Sequence, residues 1–129
     1  MYHLKNLLLL LSFLAGTAMA SDSRSGQETL RCLSLNNIRQ ITILDNQHIV
    51  FDTNSGGHYL NTLPYPCPSL HRSRAIMYRT SLSRLCDLDI ITILDDVGPG
   101  FRPMGSCGLG TFEPVNEDEF RDLKQQRRN

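Results

Sequence analysis

The residues that could act as nucleophiles in this chain are few, and their spacing decides what they can do. Ser106 stands in Gly105-Ser106-Cys107-Gly108. A hydrolase elbow needs G-x-S-x-G on a strand-to-helix turn, which this word is not. His48, His58 and His71 stand at no spacing that ties one of them to Ser106. The four cysteines, Cys32, Cys67, Cys86 and Cys107, form no C-x-x-C pair of the kind that exchanges disulfides. Zinc knuckles also need close cysteines, and the nearest two here, Cys67 and Cys86, are 19 positions apart. An even number of widely spaced cysteines in an exported chain reads instead as two disulfides, with three pairings open. No catalytic residue, metal ligand or cofactor is assigned on this basis.

Charged and titratable side chains come next. If residues 53–57 form a hairpin loop, Asp52 falls opposite His58, and His48 falls opposite Thr62. The two histidines then lie far apart along the ribbon, and Asp52–His58 is a cross-strand pair. Asp87, Asp89, Asp95 and Asp96 read as turn and solvated residues, because adjacent aspartates on a strand point to opposite faces. Met77 and Met104 read as packing residues rather than copper ligands. The basic residues Arg72, Arg74, Arg79 and Arg84 cluster along the chain. Alternating Arg72 and Arg74 share one face of an extended segment and, with His71, could meet a phosphate, an anionic polymer or an acidic partner. The acidic stretches 87–96 and 113–122 could also neutralise that cluster internally. Arg72, Arg74 and Arg79 are the candidate contacts for an acidic or anionic envelope partner.

The elements that must position these residues begin with a targeting segment. Lys5, the leucine run Leu7 to Leu11 and the small-x-small word Ala18-Met19-Ala20 follow the order of a secretory signal. Residues 1–20 are expected to be a cleaved signal peptide and 21–29 a flexible leader. The apolar stretch is too short for a bilayer span, so no membrane span is expected after cleavage. The chain carries 13 Lys and Arg against 13 Asp and Glu. That balance gives no electrostatic reason to expect a nucleic-acid partner.

Residues 30–129 read as a single β-rich domain. His48-Ile49-Val50-Phe51 and Tyr59-Leu60 flank the loop Thr53-Asn54-Ser55-Gly56-Gly57, a hairpin pattern. Leu63-Pro64-Tyr65-Pro66-Cys67-Pro68 cannot enter a central strand, because three prolines remove donors and fix φ. Ala75 to Tyr78 reads as a short strand, Ile90 to Leu94 as the clearest one, and Phe112 and Val115 as part of a last one. The word Ile-Thr-Ile-Leu-Asp occurs at 41–45 and again at 91–95; without a matching period around it, chance recurrence is the simpler explanation than duplication. A C-terminal helix is expected over 117–127. Asn116 is its N-cap, Val115 and Phe120 occupy its staple positions, and its charges run acidic to basic.

These residues resemble a family of unknown function made up of short exported, mostly proteobacterial proteins. The words that carry the resemblance are Cys32 with Ile38, Asp45 before a strand, Tyr59-Leu60 with Leu63, Cys67-Pro68 with Leu70, and Cys86, Asp89 and Cys107. The resemblance implies a periplasmic or secreted β-rich domain and brings no catalytic residues. It also favours nested disulfides, Cys32–Cys107 around Cys67–Cys86. Cys32 begins the first strand and Cys107 precedes the last, and such strands are often neighbours in a small barrel.

The expected fold is therefore mainly β: a small barrel or rolled antiparallel sheet with a short C-terminal helix, stapled by two disulfides. The expected function is a non-enzymatic periplasmic binding or interaction module. The alternative is a small periplasmic hydrolase or enzyme modulator whose site is assembled only in three dimensions.

Overall fold

Short runs rich in β-branched and apolar residues recur beyond residue 30, and the computed structural model arranges them in antiparallel sheets. It describes residues 28–80 and 82–129, together with Gly16. Apart from Gly16, the expected signal peptide lies outside the described residues, as does most of the expected leader. The strands are β1 (Cys32–Ser34), β2 (Ile38–Ile43), β3 (His48–Thr53), β4 (His58–Thr62) and β5 (Ala75–Tyr78). They continue with β6 (Arg84–Cys86), β7 (Ile90–Asp95), β8 (Arg102–Gly108) and β9 (Phe112–Val115), followed by helix α1 (Glu117–Arg128). No helix among the described residues is long and apolar enough to cross a membrane.

The β3–β4 hairpin has the register read from its loop: His48 opposite Thr62 and Asp52 opposite His58. Gly56 makes the turn possible with φ at 87°, a conformation that side-chain-bearing residues resist. Thr53 closes the loop by donating its N–H and its hydroxyl to the Gly57 carbonyl. At the β2–β3 turn, Asp45 Oδ1 accepts the N–H groups of Gln47 and His48, each at 2.8 Å. Aspartate is suited to this role because its short side chain can mimic a backbone acceptor.

The expected mainly β fold of antiparallel sheets with one C-terminal helix is present, and of its two expected forms the closed barrel is not the one adopted. The strands form a four-stranded sheet β2-β3-β4-β9, a three-stranded sheet β5-β7-β8 and a two-stranded ribbon β1-β6. The first strand pairs with β6 rather than with the last; only Leu30, just ahead of it, bridges to Phe112. One core joins the sheets, with Ile43, Ile49, Phe51, Leu85, Ile91, Ile93 and Phe112 all buried. Phe51 and Phe112 meet edge to face at 5.2 Å, the geometry aromatic quadrupoles favour. Gly110 sits where no side chain fits, since a Cβ there would lie 2.1 Å from the Thr62 carbonyl oxygen. Its N–H and carbonyl are both bonded by the buried Asn61 amide. The two Ile-Thr-Ile-Leu-Asp words end in different settings: Asp45 in an exposed turn, Asp95 buried on a central strand.

The expected nested disulfides are corrected by the same topology. Cys32 joins Cys86, and Cys67 joins Cys107. Cys32 lies directly opposite Cys86 in the β1–β6 ribbon. Cys107 faces the core from β8, across from Ile91, and meets the buried Cys67 with a Cα separation of 6.0 Å. The bonds cross in sequence instead of nesting, because β1 pairs with β6 while β8 meets the arm that carries Cys67. With sequence separations of 54 and 40, each bond is worth about 4 kcal/mol in the chain-entropy model, before native strain is subtracted.

Helix α1 follows its expected signals and runs one residue further than 127. The Asn116 side chain accepts the Glu119 N–H at 2.8 Å. Val115 and Phe120 are both buried and pack together with Val50, as a hydrophobic staple requires.

Candidate functional site

Two Asp–His pairs lie near α1, and they are built differently. The first surrounds His58 on β4. Its side chain is 9% exposed, and both ring nitrogens face carboxylates. Nδ1 is 2.8 Å from Asp52 Oδ1, at ion-pair distance but off the line of a hydrogen bond. Nε2 is hydrogen-bonded to Glu117 Oε2 at 2.8 Å, in the first turn of α1. The ring stacks on Phe120 with centroids 3.8 Å apart, and Lys124 lies 4.4 Å over the Phe120 ring. Arg39, from β2, pairs with the other Asp52 oxygen. Burial pushes the Asp52 carboxyl up, but the Arg39 guanidinium and the His58 ring outweigh it and hold the group below its ordinary range. With a carboxylate against each nitrogen and little exposure, this imidazole has no open nitrogen to offer a substrate. It fastens α1 to the four-stranded sheet.

The second pair lines an open groove of about 690 Å³. The β2–β3 turn forms one wall, residues 70–72 another, and the last turn of α1 the third. Leu44, Leu60, Leu70 and Leu123 supply its apolar surface, and His48, His71, Arg72 and Arg127 its cationic or protonatable groups. The walls are held by local bonds. Leu63 and Cys67 donate their N–H groups to Gln47 and Asn46, at 2.8 and 2.7 Å, which ties the proline-rich arm to the turn. The Cys67–Cys107 bond fixes the same arm to β8. Arg127 donates to the Arg72 carbonyl at 3.0 Å, joining the helix to the arm.

Within the groove, His48 Nδ1 lies 2.9 Å from both Asp45 oxygens. Burial raises the Asp45 carboxyl, yet the hydrogen bonds from Gln47 and His48 and the His48 charge bring it below its usual value. A carboxylate on Nδ1 fixes that nitrogen as the donor, leaving Nε2 as acceptor in the neutral ring. The His48 side chain is 37% exposed, so solvent or ligand can reach it.

The arginines expected to act together are separated. Arg72 is exposed on the groove. Arg74 is half-buried, with Nη1 2.6 Å from Asp95 Oδ2, so its charge is met inside the protein. Arg79 lies elsewhere, beside Met77, Leu88 and Ile90 in a second cavity of about 510 Å³. Alternation along an extended segment was the wrong guide, because Arg74 N–H bonds back to the His71 carbonyl and the chain bends there. Arg127 was missed as a site residue. Its only signal in the sequence was its place in the last turn of α1, which pointed equally well to the helix dipole. Among the described residues, no three His, Cys, Asp or Glu side chains group closely enough to hold a metal ion.

No curated protein and no solved structure matches the chain. A match to a family does exist, and it is described as a family of unknown function. It runs over residues 2–129, and the chain belongs to that family, DUF6491.

Proposed function

We propose that this protein is an extracytoplasmic binding module whose groove takes an anionic group carried on an apolar body. One observation carries the reading: His48, His71, Arg72 and Arg127 gather at a single groove that four leucines also line, alongside Asp45, Asn46, Gln126 and Asn129. Guanidinium groups suit phosphate and carboxylate because their planar donors match the oxygens. The leucines suit an alkyl or acyl portion, and the volume lies in the range of small-ligand sites. Two disulfides among four cysteines support an oxidising compartment.

Titration calorimetry with octyl phosphate, octanol and inorganic phosphate tests this. Octyl phosphate is expected to bind most tightly, with each truncated probe weaker. Arg72→Glu combined with Arg127→Glu is expected to weaken octyl phosphate at least tenfold, the scale of one lost charge-assisted hydrogen bond. Equal binding of octanol and octyl phosphate, or an unchanged double variant, would remove the anionic part of the reading.

The Asp45–His48 pair favours a second reading, a small hydrolase. An imidazole oriented by a carboxylate can act as a general base toward water. Turnover of p-nitrophenyl phosphate or p-nitrophenyl butyrate that disappears in His48→Gln would establish it. Binding without turnover leaves the module.

A further inference from the structure

Helix α1 is held unequally along its length, and the sequence shows why. Residues 120, 123, 124 and 127 share the face turned to the sheet, since a helix repeats every three to four positions. That stripe is apolar at Phe120 and Leu123 and cationic at Lys124 and Arg127. The start of the helix is accordingly well anchored. Asn116 caps the Glu119 N–H, and Glu117 is bonded to His58. Phe120, the only buried residue of α1, stacks on the His58 ring and packs with Val50 and Val115.

Beyond Phe120 the attachments thin out. Leu123, Lys124 and Arg127 are half-buried, and Arg121, Asp122, Gln125, Gln126 and Arg128 are exposed. Among the described residues, one side-chain hydrogen bond joins these last two turns to another element: Arg127 to the Arg72 carbonyl, in an exposed position. The groove lies against this half. Leu44 and Leu60 line it from the turn and the sheet, and Leu123, Gln126, Arg127 and Asn129 from the helix. The last two turns of α1 therefore border a space of about 690 Å³ instead of a packed core. A helical segment owes most of its stability to such packing, and a segment with few buried apolar contacts opens locally.

We infer that the last two turns of α1 work as a strap over the groove. They lift from the sheet to admit the apolar part of a ligand and close over it, hinging just after Phe120, while the first turn stays fastened to His58. The inference rests on the groove's taking an anionic amphiphile. Such a ligand favours the closed strap because Leu123 and Arg127 reach it only there, and a ligand shifts an equilibrium only through contacts that differ between the two states. Leu123 joins Leu44 and Leu60 around the alkyl chain. Arg127 uses one nitrogen on the Arg72 carbonyl and keeps its other guanidinium donors for the anion.

Residue-resolved amide hydrogen exchange on the disulfide-intact protein tests the strap, with octyl phosphate binding measured separately by calorimetry. In the free protein, the amides of Lys124 to Arg128 are expected to exchange through a local opening, much faster than those of Phe120 and of strand β3. With octyl phosphate at about 100 times its Kd, their protection is expected to rise roughly 100-fold, because an opening that abolishes binding is opposed by the full factor 1 + [L]/Kd. Equal protection at the two ends of the free helix would make α1 a rigid wall and overturn the inference. Fast exchange at Lys124 to Arg128 that bound ligand leaves unchanged would be ordinary fraying of a helix end, and would overturn it too. In both cases calorimetric binding persists and the reading of the groove stands. A protein that binds no octyl phosphate removes that reading, and the strap with it.

Discussion

The surroundings of His58 and of His48 differ more than their composition suggests. Each places an aspartate against a histidine Nδ1 and lies close to α1. At His58 the ring is buried, stacked on Phe120, and faced by a carboxylate at both nitrogens. At His48 the ring stands at the rim of a groove, and the one carboxylate bonded to it also caps a turn. The same pair of residue types is therefore a fastener in one place and an open chemical group in the other. What decides between them is the third partner. Glu117 fills Nε2 of His58, whereas His48 shares its groove with leucines, arginines, His71 and the polar residues Asn46, Gln126 and Asn129.

The largest test of that contrast removes the support of the groove while leaving the fastener. Cys67→Ser with Cys107→Ser is expected to cost about 4 kcal/mol or somewhat less in urea denaturation. It should also weaken octyl phosphate binding, because the arm bearing His71 and Arg72 loses its anchor. Cys32→Ser with Cys86→Ser should cost a similar amount of stability and leave ligand affinity nearly native. Equal losses of affinity in both pairs would mean that the groove is not positioned by the arm.

His58→Ala attacks the fastener. It removes a stacked ring and leaves buried Asp52 without one of its partners, an expected loss of about 2–3 kcal/mol. His48→Ala is expected to stay within about 0.5 kcal/mol of native stability, as exposed positions do, and to show its effect in binding. If the two variants lose the same stability, the contrast is broken.

Acid provides a third test. Asp52 and Asp45 are both held below the ordinary carboxylate range in the folded state. A lowered folded-state value means that their contribution is fully present above the unfolded carboxylate value and is lost as pH falls through the folded one. Stability should therefore decline on acidification, beginning near the unfolded carboxylate value. Asp52→Asn should start less stable and decline less steeply, and Asp45→Asn should change the slope less. Denaturation midpoints measured across this acid range check both.

The features read correctly from the sequence are local ones. The β3–β4 register follows from a five-residue loop with glycine where φ is positive, and Asn116 caps the helix three residues before its bonding partner. Asp52–His58 was legible because the hairpin alone brings the two together. Glu117 reaches His58 across 59 positions, and Arg74, next to β5, meets Asp95 on the neighbouring strand β7, which is far away in sequence, so neither leaves a local mark. The disulfides crossed because β1 paired with β6, a choice made by the topology of the whole chain. Arg127 joined the groove for the same reason: the direction of α1 after Asn116 is set by Phe120 packing on His58, which no spacing within the helix reveals.

The contrast between the two histidines is tested most directly by observing both imidazoles at once. Long-range ¹H–¹⁵N spectra recorded during a titration with octyl phosphate resolve each ring nitrogen. The His48 Nε2 signal is expected to move with ligand concentration while both His58 nitrogens stay in place. A ligand that binds and shifts His58, or leaves His48 unmoved, would contradict the assignment of the groove as the working site.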